Sequence, residues 1–292
     1  MPDFGNIASA VRAIRSRALP GGGFAAIMGG PEEPDSTAWA ILALQADGSD
    51  EQAVSAARDR LTQHQWGDGR VAMAHMAPWV WWPTSLALLA WAKDPEFDAA
   101  ARKASHFLLA TTGLHFPRQP NAAMSHDTSI RGWSWVANCH SWVEPTSLAI
   151  LALKAIGNGK HKRIKEAVAM LADRQLPSGG WNYGNTYVFG KELRPMAEST
   201  GLALNALAGY LETDQVRASI EYLKRTASAV RTPLALSWAI LGLGAWAERP
   251  PDSEQWLVEC ISRQSRYGPF RTPLLSQIVV AFHASRGLLS VL

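Results

Sequence analysis

PTSLAILAL, residues 145–153, is the stretch on which the fold turns. It opens with Pro, Thr and Ser, which begin or cap helices, and then runs apolar on nearly every side, as a helix buried all round does. The phrase returns as STAWAILAL at 36–44, PTSLALLAW at 83–91 and STGLALNAL at 199–207, with looser copies TPLALSWAILGL at 232–243 and TPLLSQIVVAF at 272–282. Amphipathic segments lie between the copies. Ile164, Val168 and Leu171 fall at helical spacing, as do Val216, Ile220 and Leu223, and similar stripes occupy 4–17, 52–64, 97–110 and 252–264. Six buried helices alternating with six amphipathic ones predict hairpins stacked round a ring, the apolar set inside. No segment alternates with a period of two, so the predicted class is all-α.

Composition bounds the function. With 292 residues, 47% hydrophobic and 18% charged, the chain has ample material for a core, and one domain over 1–292 is expected. Disorder is excluded by the same figures. Two cysteines cannot staple a chain this long. A dispersed net charge of +3 provides no nucleic-acid groove. No run of eighteen apolar residues spans a membrane, and the start lacks a signal-peptide core, so a soluble cytoplasmic protein is expected. Thirteen tryptophans are the anomaly, and they point to an aromatic-lined site.

The turn after each outer helix carries a second repeat: QLPSGGW at 175–181, QSRYGPF at 264–270, QWGDGRV at 65–71 and the degenerate ALPGGGF at 18–24. Gly permits the left-handed turn that ends a helix, the aromatic packs between hairpins, and the Gln amide can bond orphan backbone groups. This Q-x-x-x-G-x-W pattern with alternating helices resembles the terpene cyclase and protein prenyltransferase superfamily, over essentially the whole chain. The resemblance implies an (α/α)6 toroid of six inner and six outer helices.

Alignment of the buried helices on Ala40, Ala87, Ala149, Ala203, Ala239 and Ile278 gives steps of 47, 62, 54, 36 and 39 residues. The second and third steps hold the surplus, in excursions 125–145 and 182–198, and long excursions in repeat proteins usually carry function. They offer His126, Asp127, Arg131, Trp133, Trp135, His140, Trp142, Tyr183, Lys191 and Arg194. Trp82, Trp133, Trp135, Trp142 and Tyr183 are candidates for an aromatic basket. Arg131 and Arg194 are candidates for gripping a diphosphate, or else are solvated rim charges.

Asp35, Trp82, Glu144 and Glu198 occupy one equivalent position before their helices. The superfamily resemblance gives that position a role: in class II terpene cyclases an Asp of D-x-D-D-T-A protonates an alkene. The local match is Glu33-Pro34-Asp35-Ser36-Thr37-Ala38, with Glu33 and Ser36 departing from the pattern. Asp35 is then the acid, with Glu144, Glu198 or His140 setting its protonation and the tryptophans steering a cation. The plain alternative is that each acid meets the positive helix end, which lowers its pKa. The partner implied is a hydrophobic isoprenoid or lipid-like molecule, with no cofactor. A non-catalytic binding toroid, or one subunit of a larger complex, is the competing reading. Neither Cys139 nor Cys260 has the Asp two residues before it that a zinc-dependent prenyltransferase uses, so no metal is expected, and both are expected as buried thiols. The basic helix 4–17 is a candidate for peripheral membrane contact. Oligomeric state leaves no signal.

Overall fold

The computed structural model describes residues 5–74, 77–118 and 124–292. Its helices run outer then inner: α1 (Ile7–Arg15) and α2 (Pro34–Ala46), α3 (Glu51–Gln63) and α4 (Pro83–Trp91), α5 (Asp98–Ala110) and α6 (Val143–Ala155), α7 (Lys162–Asp173) and α8 (Ala197–Leu207), α9 (Thr213–Thr226) and α10 (Pro233–Ala245). The last pair is α11 (Ser253–Ser262) and α13 (Thr272–His283), joined through the single turn α12 (Gln264–Tyr267). Helices α2, α4, α6, α8, α10 and α13 pack successively, and α13 returns to α2, so the inner ring closes. The expected all-α toroid is what forms. Every expected inner and outer segment is a helix, with ends displaced by a few residues.

The inner helices are buried on all sides, so no polar stripe turns outward. Where α8 meets α10, a Cβ on Gly201 would lie 2.1 Å from the Trp238 carbonyl oxygen, and one on Gly242 2.5 Å from that of Gly201. The two backbones touch there because neither helix carries a side chain at the crossing. Trp39 of α2 also meets Trp238 of α10 edge to face at 5.9 Å, linking the two helices that flank α13.

A hydroxyl bond ties the turn to its inner helix in the first four repeats. The backbone N–H of Phe24 donates to Thr37 Oγ1, Val71 to Thr84, Trp133 to Thr146 and Trp181 to Thr200, each at 2.9 Å. The turn glycines then dock on the next outer helix. With φ of +90°, +97° and +94°, Gly22, Gly69 and Gly179 lie against the carbonyls of Ala56, Lys103 and Ala218. Two Gln amides bond backbone carbonyls as expected, Gln65 Nε2 donating to Gly69 and Ala100 at 3.1 and 2.9 Å and Gln264 Nε2 to Ile261 at 3.2 Å, whereas Gln175 Nε2 donates to Ser219 Oγ at 2.8 Å.

Two expectations change. A hairpin of β1 (Tyr187–Val188) and β2 (Lys191–Glu192) lies in the second excursion, turning through Phe189 and Gly190, both at positive φ. Two-residue strands are too short to show alternation. The basic N-terminal helix does not offer an apolar face to a bilayer: Ile7, Ala10, Val11 and Ile14 of α1 are buried, and α1 packs on α11 and α13. Arg17, expected at an anionic surface, is buried, and its Nη1 donates to the Ala26 carbonyl and Thr272 Oγ1. Residue 4 of that segment lies outside the described residues. No helix among the described residues is long and apolar enough to cross a membrane.

The docking glycines are testable. Gly69→Ala places a Cβ 2.0 Å from the Lys103 oxygen at a φ of +97°, whereas Gly67 has nothing within 4 Å. Urea unfolding should show a loss of about 2 kcal/mol or more for Gly69→Ala and under about 0.5 kcal/mol for Gly67→Ala. Equal midpoints would remove the close approach from the account.

Candidate active site

The hydroxyl bonds set the register of the mouth. Asp35, Glu144 and Glu198 are each the second residue of α2, α6 and α8, and each stands two residues before the anchoring threonine. Trp82 has the same spacing from Thr84 and is the N-cap of α4. None of these four helices has a side-chain hydrogen bond at its N-cap.

Asp35 is 8% exposed, and burial pushes its carboxyl up to about 6. A bond from the Ser36 backbone opposes that shift, the negative charge of Glu33 adds to it, and Arg271 counteracts. Arg271 holds Glu33 with one Nη 2.9 Å from both carboxylate oxygens, so much of the Glu33 charge is spent on a partner. Ser36 Oγ lies 3.4 Å from Glu33 Oε2 and 3.5 Å from Asp35 Oδ1, a loose bridge between the two acids. Charge coupling to Asp35 comes from Glu33 and Arg271, while Glu144 couples to Glu198. The acids of the mouth thus form two groups.

Glu144, of the second group, lines a hollow of about 380 Å³ together with Trp135, Cys139, Trp142 and Tyr183. That volume falls within the usual range for small-molecule sites. Burial, and then the neighbouring Glu198, push Glu144 up to about 7. Tyr183 extends its hydroxyl to 3.5 Å from Glu198 Oε1 and is raised by burial and by both acids. Trp82 stacks edge to face on Trp135 at 5.5 Å, so it supports the wall from behind. Trp142 Nε1 donates to Cys139 Sγ at 3.3 Å, which places that half-buried thiol at the hollow rather than in the core. Cys260 is the buried thiol expected, raised by burial to about 11.

Several expected site residues lie elsewhere. Trp133 is 2% exposed, its Nε1 donates to the Leu108 carbonyl at 2.9 Å, and the Arg163 guanidinium covers its ring at 4.5 Å. It is a packing residue, the counterpart of Trp181, whose Nε1 bonds Leu171 in the same way. Asp127 turns its carboxylate to the backbone and hydroxyl of Ser129, at 2.9 and 2.6 Å, which lowers its pKa. Arg131 and Arg194 are exposed. His126 and His140 gather with Arg174 around a different cavity, away from the charges that act on Asp35. Among the described residues, no three His, Cys, Asp or Glu side chains gather closely enough to hold a metal.

Two features escape the sequence reading. Gly132-Trp133 is the turn of the third repeat, so the surplus residues lie on both sides of it. Its signal was the thirteen-residue spacing from Trp133 to Thr146, the same as from Phe24 to Thr37 and from Val71 to Thr84. Arg174, at the end of α7, is 5% exposed, and no local signal marks its burial.

No family model matches the chain, and no curated protein is similar to it in sequence. Solved structures do match. A type II terpene cyclase from Scytonema, bound to its substrate geranylgeranyl dihydroxybenzoate, superposes with a TM-score of 0.61 at 13% identity, over 100% of this chain and 99% of that one. A protein from Actinoplanes gives 0.59 at 17% identity, over 98% and 99%. The fold is the all-α toroid of the type II terpene cyclases. An α-1,6-mannanase from Salegentibacter has it too, with a TM-score of 0.61 at 12% identity over 97% and 99%. The likeness therefore fixes the toroid, and the chemistry rests on the side chains of this chain.

Asp35 provides a test by stability. Because its folded pKa lies above that of an unfolded Asp, the folded chain binds the extra proton between about pH 4 and 6, and stability falls as pH rises through that window. Asp35→Asn should be more stable than wild type at pH 8, by on the order of 2–3 kcal/mol, and equal to it at pH 4. Denaturant midpoints at the two pH values measure this; no advantage at pH 8 would place Asp35 in water.

Proposed function

We propose that this chain is a class II terpene cyclase-like enzyme: Asp35 protonates an alkene of an isoprenoid, and the chain closes into rings against the aromatic wall. The observation that carries the reading is a buried carboxyl raised to about 6 in a helix first turn, where the helix dipole would otherwise keep it ionised. About one molecule in ten then holds the proton at pH 7, enough to act as a general acid. The Glu33-Pro34-Asp35-Ser36-Thr37-Ala38 register supports the same residue.

The steps balance as an isomerisation. The Asp35 O–H bond breaks, its proton forms a C–H bond, and the alkene becomes a carbocation. Neighbouring double bonds attack in turn, each closure moving the positive charge along the chain. The faces of Trp135 and Trp142 stabilise that charge, by about 2 kcal/mol or more where water is excluded. The Glu144–Glu198 pair suits the final deprotonation: these two acids face each other without the arginine that neutralises Glu33, so one of them is left as a base. Solvent returns a proton to Asp35. The ring over 1–292 is the unit that would do this.

A paired carboxyl site beside aromatic faces is also what glycoside hydrolysis uses, and the mannanase likeness makes that the second reading. The hollow favours the isoprenoid. Its polar lining is limited to Cys139, Glu144, Tyr183 and the indole N–H groups, of which that of Trp142 is already bonded to Cys139. A sugar ring needs more partners than that.

Mass spectrometry of product from geranylgeranyl diphosphate, squalene and α-1,6-mannotriose separates these readings. The expected result is a cyclised hydrocarbon skeleton, reduced at least about 100-fold in Asp35→Asn, with a rate that falls about tenfold per pH unit above 6. Undiminished cyclisation in Asp35→Asn would transfer the acid role away from Asp35. Cleaved mannotriose would establish the second reading.

A further inference from the structure

A second cavity, of about 120 Å³, lies behind Trp142, between residues 124–130, residues 184–185 and the end of α7. It has room for about four waters or one phosphate-sized group. Trp142 lines both this cavity and the aromatic hollow, so the two spaces adjoin at that residue. Among its described lining residues Arg174 is the only one with a permanent charge, and Thr128, Ser141, Asn185, His126 and His140 supply the other polar side chains.

Two of these groups are more than nine-tenths buried, and neither is used up. His126 is 6% exposed, and its Nδ1 has no hydrogen-bond partner among the described residues. Burial holds its imidazole neutral, down to about 4, with Arg174 adding to the shift. Arg174 is pinned by the Gly184 carbonyl at 2.6 Å, the Asp127 carbonyl at 3.2 Å and Asp173 Oδ2 at 3.2 Å. Of the five N–H donors of a guanidinium, three are thus engaged and two are left. Asp173 is paired with Arg174 at 3.2 Å and also takes the Asp127 backbone N–H at 2.9 Å, and Asp127 takes the Ser129 backbone N–H; neither acid is among the described lining residues, so neither occupies the cavity itself. A fixed cation beside an orphaned imidazole is a built receptor for negative oxygen.

We propose that this cavity binds a small oxyanion, a phosphate, sulfate or carboxylate group, through Arg174 and through His126, which takes up a proton as the anion enters. The anion supplies the acceptor that Nδ1 lacks and the charge that makes an imidazolium tolerable in a buried site. The groups that face His126 are Arg174 from the end of α7, Asp127 beside it in its own loop and His140 from the loop before α6. Arg174 and His140 oppose its protonation in the empty cavity and Asp127 favours it, so the balance changes only when a negative group joins them. This site does not depend on any chemistry at Asp35. The anion is either free or the head of a molecule whose apolar chain lies beyond Trp142.

Sulfate is the probe, because it does not itself titrate near neutral pH. Calorimetry at pH 6 in buffers of different ionisation enthalpy should show sulfate binding with uptake of up to one proton. His126→Leu should bind sulfate at least tenfold more weakly and take up none. Wild-type imidazole NMR gives an independent reading should the variant fail to fold: sulfate must move the His126 ring signals toward the imidazolium position. Equal affinity in His126→Leu, binding without proton uptake, no binding at all, or an unmoved His126 resonance would each overturn the proposal. Displacement of sulfate by geranylgeranyl diphosphate but not by geranylgeraniol assigns the anion as a head group, and displacement by neither assigns it as free; both support the site. A cyclase assay without product leaves these readings unaffected, so the two proposals fail separately.

Discussion

The structure depends on one hydrogen bond made four times, from the backbone N–H of a turn residue to the threonine hydroxyl in the first turn of the following inner helix. Each is buried, so each satisfies a polar pair that would otherwise weigh against the fold by about 1–3 kcal/mol. Its larger effect is geometric. By clamping the turn to the helix it fixes how far along their axes α2, α4, α6 and α8 begin. The residue two positions before the threonine is then presented at the mouth in each of these four repeats, whether it is Asp35, Trp82, Glu144 or Glu198. The glycine two residues before the clamped turn residue finishes the device in three repeats. Gly22, Gly69 and Gly179 lie so close to the next outer helix that no side chain fits, and one hairpin is thereby keyed to its neighbour.

That constraint places carboxyl groups where two effects compete. A helix N-terminus favours the charged form by 0.3–1 kcal/mol in ordinary surroundings. Burial acts the other way, and raising Asp35 to about 6 corresponds to on the order of 3 kcal/mol. Burial is the larger by several-fold, so the positive helix end softens the shift without reversing it. Asp35 does meet the helix end, through the Ser36 backbone N–H, but that bond lowers its pKa by less than burial raises it.

The ring was legible because a helix buried all round has a composition no other element shares, and PTSLAILAL repeats it with little change. Outer helices followed from spacing alone, as with Ile164, Val168 and Leu171 on α7. The site was legible only as far as local register reaches. Asp35, Glu144 and Glu198 could be aligned by counting, but the separation of Asp35 from the Glu144 group depends on Arg271, more than two hundred residues from Glu33. Trp133 was misplaced because three tryptophans crowd residues 133–142 and its turn lacks the Gln that marks the turns at 65, 175 and 264. Arg174 looked like any cation at a helix end. Its burial comes from residues 124–130 folding over α7, a contact no neighbouring residue announces.

Trp142 shows how one loop gives the mouth two environments. Trp142 lines the Glu144 hollow and the His126 cavity, and its indole N–H is held by Cys139. Tyr183 and Gly184 continue the same partition, Tyr183 lining the hollow and Gly184 the cavity, while the Val143 N–H bonds the Tyr183 carbonyl at 2.9 Å and fixes the partition to the start of α6. A migrating carbocation requires aromatic faces and little water, whereas a polar head group requires fixed donors. In one undivided pocket these demands conflict, because donors bring water with them. With Trp142 between them, the donors gather around Arg174 and the aromatic side chains around Glu144, and Arg174 is not among the residues lining the hollow where the proposed cation would pass.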